Sequence, residues 1–113
     1  MPRSHLTQHT APAAVVDALT TLGQNIATAR IRRQLREEDL ALKAGINRLT
    51  LRRVEAGALG TGIGAYAAVL WALGLQGGLA EIAAPEHDLE GRTLEAARRG
   101  ERVRVPAELS DDF

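Results

Sequence analysis

Arg48, Arg52 and Arg53 fall within a span of six residues, preceded by Arg30, Arg32, Arg33, Arg36 and Lys43, and thirteen of the chain's fourteen basic residues are Arg. A guanidinium is a planar fork of donors that grips two acceptors at once, so this cluster suits phosphate oxygens or the O6 and N7 of guanine. Asn47, Thr50 and Lys43 lie among these arginines and add positioning contacts to an oxyanion, because short polar groups at a helix start serve that purpose. Bond-making chemistry is not indicated. The chain has no Cys, and His5, His9 and His87 fall in loops. A metal at His5 and His9 would need further ligands and an ordered segment. Glu37, Glu38 and Asp39 are consecutive, so on a helix they diverge around the axis and form no catalytic pair. Gly60, Gly62 and Gly64 follow no strand and precede no Lys, unlike a phosphate loop. No enzyme activity, cofactor or metal site is expected.

The formal net charge of the 113 residues is zero, but the charge is segregated. Residues 30–53 set eight bases against Glu37, Glu38 and Asp39, whereas residues 54–91 hold only Glu55, Glu81, Glu86, Asp88 and Glu90. Arg92, Arg98, Arg99, Arg102 and Arg104 then outnumber Glu95 and Glu101, and the last nine residues are acidic. A concentrated basic stretch is the footprint of a phosphate-bearing partner whatever the sum; charge alone leaves a merely solvated helix face equally open.

Positioning these groups falls to helices. Hydrophobic residues make up 45% and aromatics 3%, so the core must be built from Ala, Leu, Val and Ile, which suits an all-α fold. One domain is expected at this length. No apolar run is long enough to span a membrane, and Met1 to Thr10 lacks an apolar signal segment, so a cytoplasmic protein without a membrane partner is expected.

Pro12 suits a first helical position, and Val15, Val16, Leu19, Leu22, Ile26 and Ala29 repeat at helical spacing up to Gln34, with Gly23 as a possible break. Between Gln34 and Arg36 there is no Gly, Pro, Ser or Asp, so one helix could run through. Glu38 and Asp39 favour a helix start, and Gly45 suits a helix C-terminus. Asn47 is a preferred N-cap for a helix over Arg48 to Ala56, which Gly57 ends. A fourth helix is expected over Ile63 to Leu73, stopped by Gly74. A short fifth follows over Gly78 to Ala83, and a sixth over Leu89 to Arg99 with Gly100 as its stop. Arg102 to Val105 alternates polar and apolar, a short strand signal.

Glu37 to Gly57 thus reads as helix, tight turn, helix, with Leu40, Ala41, Ala44, Ile46, Leu51 and Val54 inward. The small Ala41, the turn Gly45 four residues later, and Leu51 and Val54 six and nine beyond it resemble the helix-turn-helix of the phage-repressor and Cro (XRE) family. The likeness covers about Leu22 to Leu75, taking in Ile26, Arg30, Ile31, Val69, Leu70, Leu73 and Gly74. It implies an all-α, five-helix repressor-like domain whose second motif helix enters the major groove of double-stranded DNA. Arg48 and Arg53 are similar in position to the family's base-reading residues, and Arg52 and Leu49 share their outward face. Leu49 would touch a thymine methyl, unless it belongs to the core. Lys43, Asn47, Thr50 and Arg36 fall to phosphates. Arg30 and Glu55 look like the family's internal ion pair, structural like Ala41 and Gly45. Two positions depart from the pattern: Glu37 stands where relatives carry a phosphate-binding Gln, and Arg36 where they carry a Ser or Asn cap. An acid there repels DNA unless Arg36 offsets it, which keeps in view a protein-interaction module with little or no DNA binding.

Ala67 to Asp88, followed by EGRTLEAARRGERVRV and an acidic end, resembles the HipB-like antitoxins that accompany HipA-like kinases. That likeness implies a homodimer that represses its own operon and holds a kinase toxin inactive, with the C-terminal strand pairing between subunits. The expected organisation is a flexible arm over residues 1–11, the DNA-binding domain over 12–84, a dimerisation or partner segment over 85–105 and a disordered acidic tail over 106–113. Tyr66 and Trp71 are expected in the core or an interface, and Phe113 is a candidate anchor for a partner.

Overall fold

A computed structural model describes residues 6–103, and every regular element among them is helical. The helices are α1 (Ala13–Arg32), α2 (Glu37–Ala44), α3 (Arg48–Glu55), α4 (Ile63–Ala72), α5 (Gly77–Glu81) and α6 (Leu89–Val103), with a 3-10 turn at Pro85–His87. The chain divides into two compact units, Met1–Gly77 and Gly78–Phe113. No helix among the described residues is long and apolar enough to cross a membrane.

In the first unit each helix contributes one apolar stripe. Ile26 and Ala29 come from α1, Leu40 and Ala41 from α2, Leu51 and Val54 from α3, and Tyr66, Val69, Leu70 and Ala72 from α4. Helix α3 packs on α1, α2 and α4, and α2 packs on α4 as well. Leu40, Leu51, Val54 and Val69 are fully buried, each stabilising the unit by about 1.5 to 3 kcal/mol relative to exposure. The Tyr66 hydroxyl donates to the Ala58 carbonyl at 2.7 Å, fastening α4 to the segment after α3. Trp71, expected in the core or an interface, is 59% exposed at the far end of α4, which removes the core alternative only.

Gly23 does not break α1. A Cβ there would stand 2.5 Å from the Glu55 carbonyl oxygen and 2.7 Å from the Gly57 nitrogen, so it is a glycine because two backbones meet. Gly57 answers it from the other side, at φ +73° against the Leu19 backbone.

Nor does one helix run through Gln34. Gln34 takes a left-handed φ of +55°, a cost of about 1 kcal/mol for a non-glycine residue. Local hydrogen bonds offset it: the Gln34 and Leu35 amides reach the Ile31 and Arg30 carbonyls at 2.9 and 3.2 Å. The Asp39 carboxylate then reaches back to accept the Arg36 amide at 3.1 Å, capping α2 with an acid instead of a Ser or Asn.

Residues 7–11, part of the expected arm, close a turn in which the Ala11 amide donates to the Thr7 carbonyl at 2.9 Å. In the second unit α6 continues past Arg99 and through Gly100, so Arg102 and Val103 are helical, not the start of a strand. Two alternating pairs are too few to hold an extended backbone without a partner strand, while the Glu95–Arg99 pair at 3.4 Å lies along the helix that forms instead. Arg104, Val105, the acidic end and Phe113 lie outside the described residues, as does His5.

Gly23→Ala is expected to destabilise the protein by about 2 kcal/mol despite the better helix propensity of Ala, because backbone and not a side chain must yield. A thermal melt should move down by about 10 °C. An unchanged midpoint would mean that α1 and the end of α3 are not in backbone contact.

Candidate functional site

The corner between α2 and α3 is set by two residues. Gly45 caps α2 in the left-handed region at φ +75°, its amide donating to Leu42 at 3.1 Å, and the Ile46 amide returns to Ala41 at 3.0 Å. Asn47 then starts α3, its Oδ1 accepting the Thr50 amide at 2.7 Å. Both positions follow the sequence expectation, down to the residue. With Asn47 Oδ1 already engaged as a cap, any oxyanion at this end would meet backbone amides first.

Burial of Leu51 and Val54, three residues apart, fixes the rotation of α3 and leaves Arg48, Leu49, Arg52 and Arg53 on the solvent side. Leu49 is 55% exposed, which removes its reading as a core residue. Leu40 and Ala41 are buried as expected, while Ala44 and Ile46 are half-buried at the edge of the corner.

Not all of the outward arginines stand alone. Glu37 Oε1 accepts from Arg48 Nη2 at 3.2 Å and Nε at 3.4 Å, and lies 3.5 Å from Arg52 Nε. Hydrogen bonding from Arg48 has the largest effect on the Glu37 carboxyl and, helped by the charges of Arg52 and Arg48, holds it below the usual range although burial, second in size, opposes them. The cluster is therefore ionised at neutral pH. Its contribution to stability is present above about pH 4.3, the ordinary Glu value, and is lost as pH falls through the lowered one. Of the two alternatives left open for Glu37, an offset by Arg36 does not occur; the Arg36 guanidinium goes to Glu38 and Asp39, each at 3.3 Å. Arg53 and Lys43 make no ion pair or side-chain hydrogen bond among the described residues.

The Glu37 cluster was not legible from spacing. Arg48 and Arg52 are four apart on one helix, which signals a shared face, but Glu37 joins them only once the turn at Gly45 is folded.

Beneath this surface Arg30 and Glu55 form a bidentate pair, Nε to Oε2 at 2.7 Å and Nη2 to Oε1 at 3.1 Å, with side chains 14% and 10% exposed. Arg30 Nη1 also donates to the Leu35 carbonyl at 3.1 Å. The Glu55 hydrogen bond raises the Arg30 pKa beyond its already high value, so this charge is permanent. Arg30 and Glu55 thus hold the C-terminal end of α3 without engaging its outward side chains.

Glu55→Ala should strand the nearly buried guanidinium and cost about 3 kcal/mol, whereas a surface pair would cost under about 1. Urea unfolding separates the two: a midpoint within error of the parent would remove the pair from the account of stability. Neither a family model nor a curated protein nor a solved structure matches the chain, so its function is read from these residues and their geometry.

Proposed function

We propose that the chain is a sequence-specific DNA-binding repressor that lays α3 in the major groove in the manner of a helix-turn-helix. The observation that carries this reading is the outward face of α3: Arg48, Leu49, Arg52 and Arg53 project from one short helix whose other side is locked by Leu51 and Val54. With its side chains an α-helix is about 10–12 Å across, matched to a major groove about 12 Å wide. Arg48 and Arg53 are the candidate guanine readers, Arg52 a further base contact, and Leu49 the contact to a thymine methyl. Lys43, Thr50, Arg36 and the amides that follow Asn47 are candidates for phosphate, with Lys43 the strongest because its ammonium is uncommitted. A homodimer would place two copies of α3 on half-sites about 34 Å apart. The finer reading, an antitoxin that represses its own operon and restrains a HipA-like kinase, rests on the resemblance of the segment from Ala67 onward.

One observation favours a second reading, a module that binds a protein partner and little DNA. Glu37 occupies two of the four outward groups of α3, and Glu38 and Asp39 add negative charge at the start of α2. Against it stands Arg53, which has no ion pair among the described residues and so adds uncompensated positive charge to the outward face of α3.

Selection from a randomised 30-bp duplex pool, followed by fluorescence anisotropy on the enriched site, tests the proposal. Arg48→Ala should weaken binding by about 1 to 3 kcal/mol and relax preference at one base pair. Lys43→Ala should instead weaken all duplexes alike and reduce the salt slope by about 1. Absence of any enriched sequence, together with binding to mixed duplex that does not depend on salt, would overturn it.

A further inference from the structure

We propose that Glu37 is a specificity-determining residue: it holds Arg48 and Arg52 on one carboxylate oxygen and makes their transfer to DNA unfavourable unless base edges replace both bonds. This rests on the DNA-binding reading and goes beyond it, since it assigns a role to the acid that otherwise counts against that reading.

The geometry has three parts. Glu37 is 27% exposed by side chain while Arg48 and Arg52 are 54% and 56% exposed, so the carboxylate is the inner member and the guanidiniums reach outward over it. All of its bonds converge on Oε1, from two residues one turn apart on α3. The other cation whose charge acts with Glu37 is Arg30, and that one is committed to Glu55 and cannot substitute.

A phosphate approaching α3 therefore meets a carboxylate as well as two arginines. If Arg48 and Arg52 swing to phosphates, Glu37 keeps its charge beside the DNA backbone with its partners gone. That penalty is the same for every sequence. Guanine offers O6 and N7 together in the groove, so a pair of correctly placed guanines returns directional bonds to both guanidiniums while they stay in the outward orientation Glu37 imposes. A carboxylate in this place thus weakens loose, backbone-only binding more than it weakens binding to the correct site, which is specificity by exclusion of the alternative.

Glu37→Gln is close in size and removes the charge. Wild type, Glu37→Gln and the control Glu38→Gln are compared on the duplex enriched by wild type and on a fixed mixed-sequence duplex, with thermal melts to confirm folding and NMR of the Arg Nε–H groups to follow the cluster. Glu37→Gln should bind mixed duplex about 10-fold tighter and the enriched duplex by clearly less, so that discrimination falls about fivefold. The Arg48 Nε–H resonance should move in Glu37→Gln alone. An equal gain from Glu38→Gln would reduce the effect to net charge and overturn the proposal, as would unchanged discrimination in Glu37→Gln; in both cases wild-type binding still stands. If neither wild type nor Glu37→Gln binds any duplex, the DNA-binding reading falls as well, and the NMR shift then reports only an internal ion cluster.

Discussion

Arg30 holds three pieces of the first unit at once. Its guanidinium grips Glu55 at the end of α3 with two bonds and donates a third to the Leu35 carbonyl in the connection to α2, while its own backbone belongs to α1. A planar fork with donors in fixed directions can satisfy a carboxylate and a carbonyl together, which a Lys ammonium would do without fixing their mutual angle. Two glycines make this possible. Gly23 and Gly57 let the backbones of α1 and the end of α3 approach until no side chain fits, which brings Glu55 within reach of Arg30. Given that anchor, the rotation of α3 is no longer adjustable: Leu51 and Val54 must point in, and four other residues must point out.

The elements written in local chemistry were legible in the sequence. Gly45 and Asn47 mark a left-handed stop and a capped start because those residue types tolerate or satisfy the backbone there, and Gly57 and Gly74 end helices for the same reason. What was not legible depended on distance in space. Gly23 looks like a helix breaker until the chain that presses on it is present. Gln34 gives no sign of a break, since a left-handed glutamine is favoured only by the hydrogen bonds that close around it and by Asp39 reaching back to Arg36. Gly100 erred in the other direction: a glycine stops a helix only when the chain turns left-handed there, and α6 continues through it.

At the candidate site the face of α3 was readable from the period of its apolar residues, and the Arg30–Glu55 pair from the family likeness. The partnership of Glu37 was not. By sequence it is an acid beside Arg36, and proximity along the chain suggests that neighbour as its counterion. The backbone prevents this, because Arg36 is the extended residue at the cap, at φ −78° and ψ 160°, and its side chain leaves the chain outside the helix that Glu37 begins. Arg36 instead lies at the cap, where Asp39 and Glu38 curl back to it, and Glu37 is turned toward α3.

The acids at the start of α2 therefore do two things that a Gln and a Ser would do differently. Asp39 caps the helix, and all three carboxylates lie at the positive end of its dipole, so they stabilise α2 locally. The same charges oppose any phosphate brought to that end. Local helix stability and nonspecific affinity for a polyanion thus pull against each other over three consecutive residues. The conflict is smaller than the raw charges suggest, because Arg36, Arg48 and Arg52 already neutralise them internally, and it leaves Arg53 and Lys43 as the cations of α2 and α3 without an ion pair among the described residues. On the DNA-binding reading proposed above, a surface arranged in this way would exchange strength of attraction for selectivity: a uniform backbone would be attracted weakly, and only a partner that supplies directed acceptors to Arg48 and Arg52 would recover the bonds given up at Glu37.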